Sequence, residues 1–262
     1  MSAVPMFSTL VLSVNDRVAI LEFGRPDKLN ALSRQLLTEL ISACSWLNAQ
    51  HDIRVVIVRG QGRSFSAGFD LGDFANADPA STPRESADLG RRATDALTDV
   101  PQITIASIHG HCVGGGVVLA AACDLRIATT DTRFSIPEVD LGIPLAWGGI
   151  PRLVREIGPA ATKELVLTCR VFDAHEAKGL RLVNTVVEPD HLVSHVGELA
   201  QSIANKPLIA VRSTKAMVNA VTEEMIGTAR SVSDADTLVV ATADPESRAA
   251  TANYLSKRRR RQ

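Results

Sequence analysis

The sequence predicts an α/β fold that closes in an all-helical C-terminal region. Three observations carry this. Short β-branched runs alternate with helical periodicity up to about residue 189, and beyond it helix follows helix. The stretch ITIASIHGHCVGGGVVLAAACD, at 103–124, leads an apolar strand through Gly114, Gly115 and Gly116 into an almost wholly apolar helix. Hydrophobic residues make up 45% of the 262, enough for a sizeable core. The chain therefore divides into a core over 1–190 and a helical region over 191–262.

Each element has its own signal. Residues 10–14 and 18–23 flank Asn15 and Asp16 as the arms of a hairpin, which Arg25 and Pro26 end. Ser33 is placed as a helix N-cap, and Leu36, Leu37, Leu40, Ile41 and Leu47 recur at helical spacing to about Gln50. Residues 55–58 form a strand, and Gly60, Gly62 and Gly68 mark irregular backbone after it. The polar stretch 76–85, with Pro79 and Pro83, reads as a mobile loop. A helix covers 86–98, and after the glycine-rich stretch 125–128 and 133–135 are short strands. Helices at 149–157 and 160–167 are parted by Gly158 and Pro159. Asp173 caps a helix ending at Gly179, which leads into a strand over 182–187. Helices then cover 191–205, 208–220, 223–243 and 246–257, with Leu238, Val239 and Val240 marking a buried face. No repeat shows at one fixed period, which leaves room for a repetitive core whose turns have diverged.

Composition narrows the function. A net charge of −1 supplies no field for nucleic acid or an acidic membrane, and 4% aromatics is too few for base-stacking platforms. The basic run 257–261 reads as a solvated tail, with a nucleotide phosphate contact as the lesser alternative. Cys44, Cys112, Cys123 and Cys169 stand at no disulfide or zinc spacing and read as reduced, mostly buried hydrophobes. The N-terminus lacks a basic region followed by a long apolar stretch, and the apolar run 117–123 is too short to span a bilayer. A soluble, cytoplasmic protein is expected. There is no GxxxxGK[ST], no complete GxGxxG, no GxSxG and no HExxH. His109 and His111 flank Gly110 without a third ligand, so no metal site is expected.

Two glycine turns and one carboxylate remain. Gly68 with Phe69 and Asp70, and the triplet 114–116, each end a strand. Taken alone, such a triplet reads first as a tight strand-to-helix turn. Backbone N–H groups from two such turns can converge on one oxygen, the arrangement that stabilises a developing oxyanion. Glu138 follows Pro137 in an apolar setting, where burial raises a carboxyl pKa and makes it a proton carrier near neutral pH. On its own it also reads as a surface or salt-bridged glutamate.

In this order the segments resemble the crotonase family, the enoyl-CoA hydratase/isomerase superfamily. The resemblance begins at RPDKLNAL (25–32) and continues through FSAGFDL (65–71), IHG (108–110) with the triplet, and ACDLRIA (122–128). It goes on through Pro137 and Glu138, Gly148 and Gly149, Arg152 and Leu153, 174–180, and Val183 with Asn184. It implies a spiral of ββα turns with C-terminal helices used in trimer assembly, as homotrimers or dimers of trimers. It implies acyl-CoA thioester substrates, with coenzyme A as part of the substrate and no separate cofactor. The oxyanion donors would be the amides of Phe69 and Gly115. The substrate and CoA path would include Ala67, Asp70, Leu71 and Gly114, with Lys28, Asn30 and Ala31 near the nucleotide end.

The sequence departs from the family at one decisive position. Hydratases of the family place and activate water with two glutamates, the first of them three residues after the second oxyanion glycine; here that residue is Val118, while Glu138 is retained. One glutamate suffices to carry a proton between C2 and C4 of a 3-enoyl-CoA, as in family members with Δ3,Δ2-isomerase activity. Asp140 would share a face with Glu138 on an extended segment. Ala146 stands where dienoyl-CoA isomerases and dehalogenases of the family carry an acid, and Trp147 reads as pocket wall or core. Three readings follow: an isomerase-type proton shuttle, a weakened enoyl-CoA hydratase, and a non-catalytic acyl-CoA binder.

Overall fold

A computed structural model describes residues 3–75 and 81–259. The first half of the chain runs β1 (Leu10–Asn15), β2 (Val18–Phe23), α1 (Arg34–Asn48), β3 (Val55–Gly60), α2 (Leu71–Ala75) and α3 (Pro83–Asp99). Next come β4 (Ile103–Ile108), β5 (His111–Val113), α4 (Gly115–Ala122), β6 (Leu125–Thr129) and β7 (Arg133–Ser135). They are followed by α5 (Gly149–Thr168), β8 (Phe172–Asp173), α6 (Ala174–Gly179) and β9 (Thr185–Val187). The chain ends in α7 (Leu192–Ala204), α8 (Leu208–Met225), α9 (Asp234–Ala243) and α10 (Pro245–Arg259).

The main sheet has the order β1-β2-β3-β4-β6-β9. Its first pair is the expected antiparallel hairpin, and every later pair is parallel. A second sheet, β5-β7-β8, carries the short strands, and a bridge from Ser66 to Cys112 joins the segment after β3 to it. From β3 to α5 the chain makes three such turns, each laying one strand in the main sheet (β3, β4, β6), passing through the second sheet's side (the Ser66 bridge, β5, β7) and returning by a helix (α3, α4, α5). This is the ββα spiral the resemblance implies.

Local signals explain several helix ends. Ser33 Oγ accepts from the Leu36 N–H at 3.2 Å, and α1 buries Leu36, Leu37, Leu40, Ala43, Cys44 and Leu47. Helix α3 begins three residues before the expected 86 because Thr82 and Glu85 form a reciprocal capping box around Pro83. Residues 76–80 of the stretch read as a mobile loop lie outside the described residues, as do 260–261 of the basic run. The expected break in α5 is a kink at Gly158, with φ 77° and ψ 165°. Asp173 caps α6 by accepting from the Glu176 N–H at 2.9 Å. The strand expected over 182–187 starts only at Thr185, because Arg181 takes φ 70° and the Val183 N–H turns back to the Ala177 carbonyl.

One expected helix is two. Residues 223–243 divide between the end of α8 and α9, with Ile226 at φ −147°, ψ 83° and a short 3-10 turn at Ala229–Ser233 between them. Arg155 of α5 causes the break. Its Nε donates to the Ile226 carbonyl at 2.7 Å and its Nη2 pairs with Glu223 at 2.9 Å, while Glu223 Oε1 accepts the Thr228 N–H at 2.7 Å. In α9, Leu238 packs on the core, Val239 is half-buried and Val240 is exposed, so the buried face is narrower than expected.

The helical region shares the sheet's core. Leu192, Val196, Ala200 and Ala204 of α7 cover Val55, Ile57, Ile105 and Ile127 on one face. Lys215 of α8 reaches inward, and its Nζ donates to Asp124 Oδ2 and to the Gln102 carbonyl, each at 2.8 Å. A buried ammonium needs such partners, since an unpaired one costs several kcal/mol. Cys44, Cys112 and Cys123 are buried free thiols whose pKa values desolvation pushes up, so they act as packing groups. Among the described residues no helix is long and apolar enough to cross a membrane.

Candidate active site

Two backbone segments lie side by side as if in a parallel ladder. The Ala67 N–H donates to the Leu29 carbonyl at 2.9 Å, Leu32 to Gly68 at 2.8 Å, and Asp70 to Leu32 at 3.1 Å. This brings Lys28, Asn30 and Ala31 alongside Ala67, Phe69, Asp70 and Leu71, although about forty residues separate them in sequence. Lys28 is exposed at the end of a 3-10 turn. Asn30 is fully buried; its Nδ2 donates to the Gln61 and Ser64 carbonyls at 2.8 Å each, and its Oδ1 accepts from the Arg25 N–H at 3.0 Å. Its side chain is thus a clamp behind the loop rather than part of its surface.

Arg25, which the sequence marks only as the end of the hairpin and the start of RPDKLNAL, ties this ladder together. Its guanidinium donates to the Ala31 carbonyl at 2.5 Å and pairs with Asp70 at 2.7 Å. Partial burial pulls the Asp70 carboxyl upward. The Arg25 hydrogen bond and charge, with the Gly72 N–H, outweigh it and hold the group below the ordinary carboxylate value. The signal available was a lone arginine at the break after β2, which by itself says little.

The second glycine turn meets the first. Gly68 has φ 85°, and a Cβ there would stand 2.8 Å from the Val113 carbonyl oxygen and 3.8 Å from the Gly115 nitrogen. Only a glycine lets the two turns approach this closely. Gly114, at φ 51°, is held by its N–H to the Ser135 carbonyl at 2.8 Å, which draws the end of β7 against the triplet. Gly115 opens α4, where the first N–H groups have no intrahelical acceptor and carry the positive end of the dipole.

Glu138 sits in the turn after β7, with its carboxylate directly over Gly114: a Cβ on that glycine would stand 2.5 Å from Oε1. The residue is half-buried, but its Oε2 is sealed from solvent and has no hydrogen-bond partner among the described residues. Desolvation raises its pKa from 4.5 to about 7, only partly offset by a hydrogen bond from its own backbone. Asp140 does not join it. Residues 138–142 form a turn rather than an extended segment, and Asp140 is exposed with its N–H on Cys169 Sγ at 3.4 Å.

Phe69, Gly115, Val118 and Glu138 line one cavity of about 70 Å³. Its remaining walls come from Ser86 and Ala87 of α3, the segment from Ile143 to Trp147, and Leu238 of α9. Val118 is buried in the wall one turn after Gly115 and brings no carboxylate, and Ala146 is likewise buried. No short motif marks Ser86 or Leu238, which reach the site only through packing. The cavity joins backbone at a helix start, a raised carboxyl and apolar walls, which together suit moving a proton next to a carbonyl whose oxygen takes up charge.

Comparison with known proteins identifies the family. Residues 13–261 match the family model for enoyl-CoA hydratase/isomerase. The chain is 34% identical over 254 residues to a crotonyl-CoA hydratase of Syntrophomonas wolfei, covering 97% of each. It is 39% identical over 207 residues to a peroxisomal Delta(3,5)-Delta(2,4)-dienoyl-CoA isomerase of Arabidopsis thaliana, covering 74% of each. The crystal structure of an enoyl-CoA hydratase/isomerase from Pseudoalteromonas atlantica superposes with a TM-score of 0.86 at 28% identity, covering 95% of this chain and 98% of the other. With the spiral of ββα turns, the paired glycine turns and Glu138 on one cavity, the chain belongs to the enoyl-CoA hydratase/isomerase family, the crotonases.

Proposed function

We propose that the protein shuttles a proton between C2 and C4 of a 3-enoyl-CoA, converting it to the 2-enoyl-CoA, with Glu138 as the shuttle. One observation carries this reading: among the described residues, Glu138 is the only ionisable group lining the cavity that holds both glycine turns. The Glu138 carboxylate removes a proton from C2. The charge moves onto the thioester oxygen, where the amides of Phe69 and Gly115 receive it. The electron pair returns through C4, which takes the same proton back from the Glu138 carboxylic acid. Proton count and charge balance, and no separate cofactor enters, since coenzyme A is part of the substrate. A pKa of about 7 suits a group that must both take and release a proton near neutrality. Asp70, Leu71 and Ala67 would flank the CoA arm, with Lys28 and Ala31 toward its nucleotide end and Gly114 under the reacting carbons.

Hydration is the second reading, favoured by the crotonyl-CoA hydratase relative at 34% identity. It needs a second group to hold the water, and Val118 supplies none. Wild-type protein is expected to isomerise a 3-enoyl-CoA and to hydrate the 2-enoyl-CoA at least about a hundredfold more slowly, the scale of one lost acid–base group. Val118→Glu should raise the hydration rate. Ultraviolet assays of both reactions decide it: wild-type hydration as fast as isomerisation would discard the shuttle-only reading. The dienoyl-CoA isomerase reading lacks its acid, because Ala146 stands at that position.

The helical region is assigned to self-association. On α8, Ile209, Met217, Val218, Val221 and Met225 expose between 57% and 78% of their surface, and Met217, Val221 and Met225 follow one another at four-residue spacing along one helix face. A trimer or a dimer of trimers would cover them. Sedimentation velocity should give a multiple of three times the 28.0 kDa chain, and a monomer throughout would remove this assignment.

A further inference from the structure

Trp147 lines the cavity beside Phe69 and Gly115, and the fold makes unusual room for it. Its ring lies between α3 and α4 at two positions where a side chain would collide with it. A Cβ on Gly90 would stand 1.9 Å from Cε2 of the indole, and one on Gly115 would stand 2.4 Å from Cζ3. The indole also meets the Phe69 ring edge-on, with centroids 5.6 Å apart and planes at 84°. The same two residues, Phe69 and Gly115, carry the amides assigned to the thioester oxygen, so the wall and the reacting carbonyl share one frame.

The backbone beneath the ring is strained and held. Trp147 takes φ 63°, a region that bulky residues rarely occupy. Its carbonyl accepts from Thr94 Oγ1 at 3.0 Å and from Arg152 Nη1 at 3.3 Å, and Arg152 is itself fixed by Asp95 at 2.9 Å. The next residue, Gly148, donates its N–H to Asp234 Oδ2 at 2.9 Å. A strained position kept in place by its surroundings marks a side chain that must point one way.

The space left is small. The cavity of about 70 Å³ is less than half of the roughly 150 Å³ apolar cavity that admits benzene, so on the order of three carbons fill it. We propose that Trp147 is the specificity-determining wall of this site and restricts it to short acyl-CoA thioesters, with an acyl group of about four carbons. This rests on the assignment of the cavity as an acyl-CoA site, but not on which reaction follows.

Binding of saturated esters separates the two. Isothermal calorimetry with butanoyl-, hexanoyl-, octanoyl- and decanoyl-CoA, on the full chain, reads the length limit without turnover. Wild type should bind butanoyl-CoA about tenfold or more tighter than octanoyl-CoA, the scale on which an apolar pocket discriminates chain length. Trp147→Gly, which suits the positive φ, should tighten octanoyl-CoA by about tenfold and change butanoyl-CoA much less. Trp147→Phe keeps an aromatic ring and should show a smaller change in the same direction; it decides the matter if the glycine variant fails to fold by circular dichroism. Equal wild-type affinity for all four esters, or an unchanged length profile in the folded variants, overturns the proposal. Length-limited binding without isomerisation would sink the shuttle reading and leave the wall standing. Failure to bind any of the esters overturns both.

Discussion

Glu138→Gln is expected to lower 3-enoyl-CoA isomerisation by on the order of a thousandfold, within the range for loss of a positioned acid–base group. Glutamine fills the same space over Gly114 but cannot take the C2 proton. The KM should move little, because the side chain handles the proton and the amides and CoA path hold the substrate. In wild type, kcat/KM should rise with pH and level off above about pH 7, as the carboxylate form fills. A variant that isomerises as fast as wild type would remove Glu138 from the mechanism.

The same substitution should stabilise the fold at alkaline pH. The folded-state pKa of Glu138 lies near 7, above the ordinary 4.5. Between those values the folded protein holds a proton that the unfolded chain has released, so stability falls as pH rises through that window. Above pH 7 the ionised, desolvated carboxylate costs the native state up to about 3 kcal/mol. Glutamine carries no such cost. Thermal denaturation should therefore give the variant a higher Tm than wild type at pH 8, and nearly the same Tm at pH 4, where both side chains are neutral. Equal Tm values at both pH values would mean that the carboxylate is solvated in the native state. Lower activity with higher stability is the signature of a strained functional group.

Gly68→Ala is the second large effect. The backbone there takes φ 85°, and the new methyl would stand 2.8 Å from the Val113 carbonyl oxygen, a backbone atom that cannot swing aside. The turn that carries the Phe69 amide would be forced away from the Gly115 nitrogen. Loss of one oxyanion donor costs about 2.7–4 kcal/mol at the transition state, or roughly two to three powers of ten in kcat. Backbone strain of about 1–3 kcal/mol should appear separately as a lower Tm. Stopped-flow or steady-state kinetics on folded variant, with butanoyl-CoA affinity measured alongside, would show kcat falling further than binding. A variant with lowered Tm and unchanged kcat would show that the two turns do not act on a common oxygen.

Much of this molecule is legible locally. The hairpin at Asn15 and Asp16, the Ser33 and Asp173 caps and the kink at Gly158 each depend on a few neighbouring residues. Capping, periodicity and allowed φ act over one or two turns, so the sequence alone carries them. The glycine turns and Glu138 are legible only as an ordered set, through the family resemblance, because each alone also fits an ordinary turn or a surface glutamate.

What only the tertiary structure decided involves groups brought together from afar. Arg155 and Glu223 split the expected 223–243 helix through a contact across 68 positions. Turn geometry exposes Asp140, and a ladder between two loops turns Asn30 into a clamp. The walls of the cavity come from α3, α4, α9 and the segment around Trp147, and no local pattern joins them. Glu138 owes its raised proton affinity to that enclosure, because desolvation is a property of everything around a charge. The sequence by itself determined the family, the spiral and the single carboxylate. Packing determined how much room surrounds that carboxylate and at what pH it can act, since both depend on side chains distant in sequence that share one small volume.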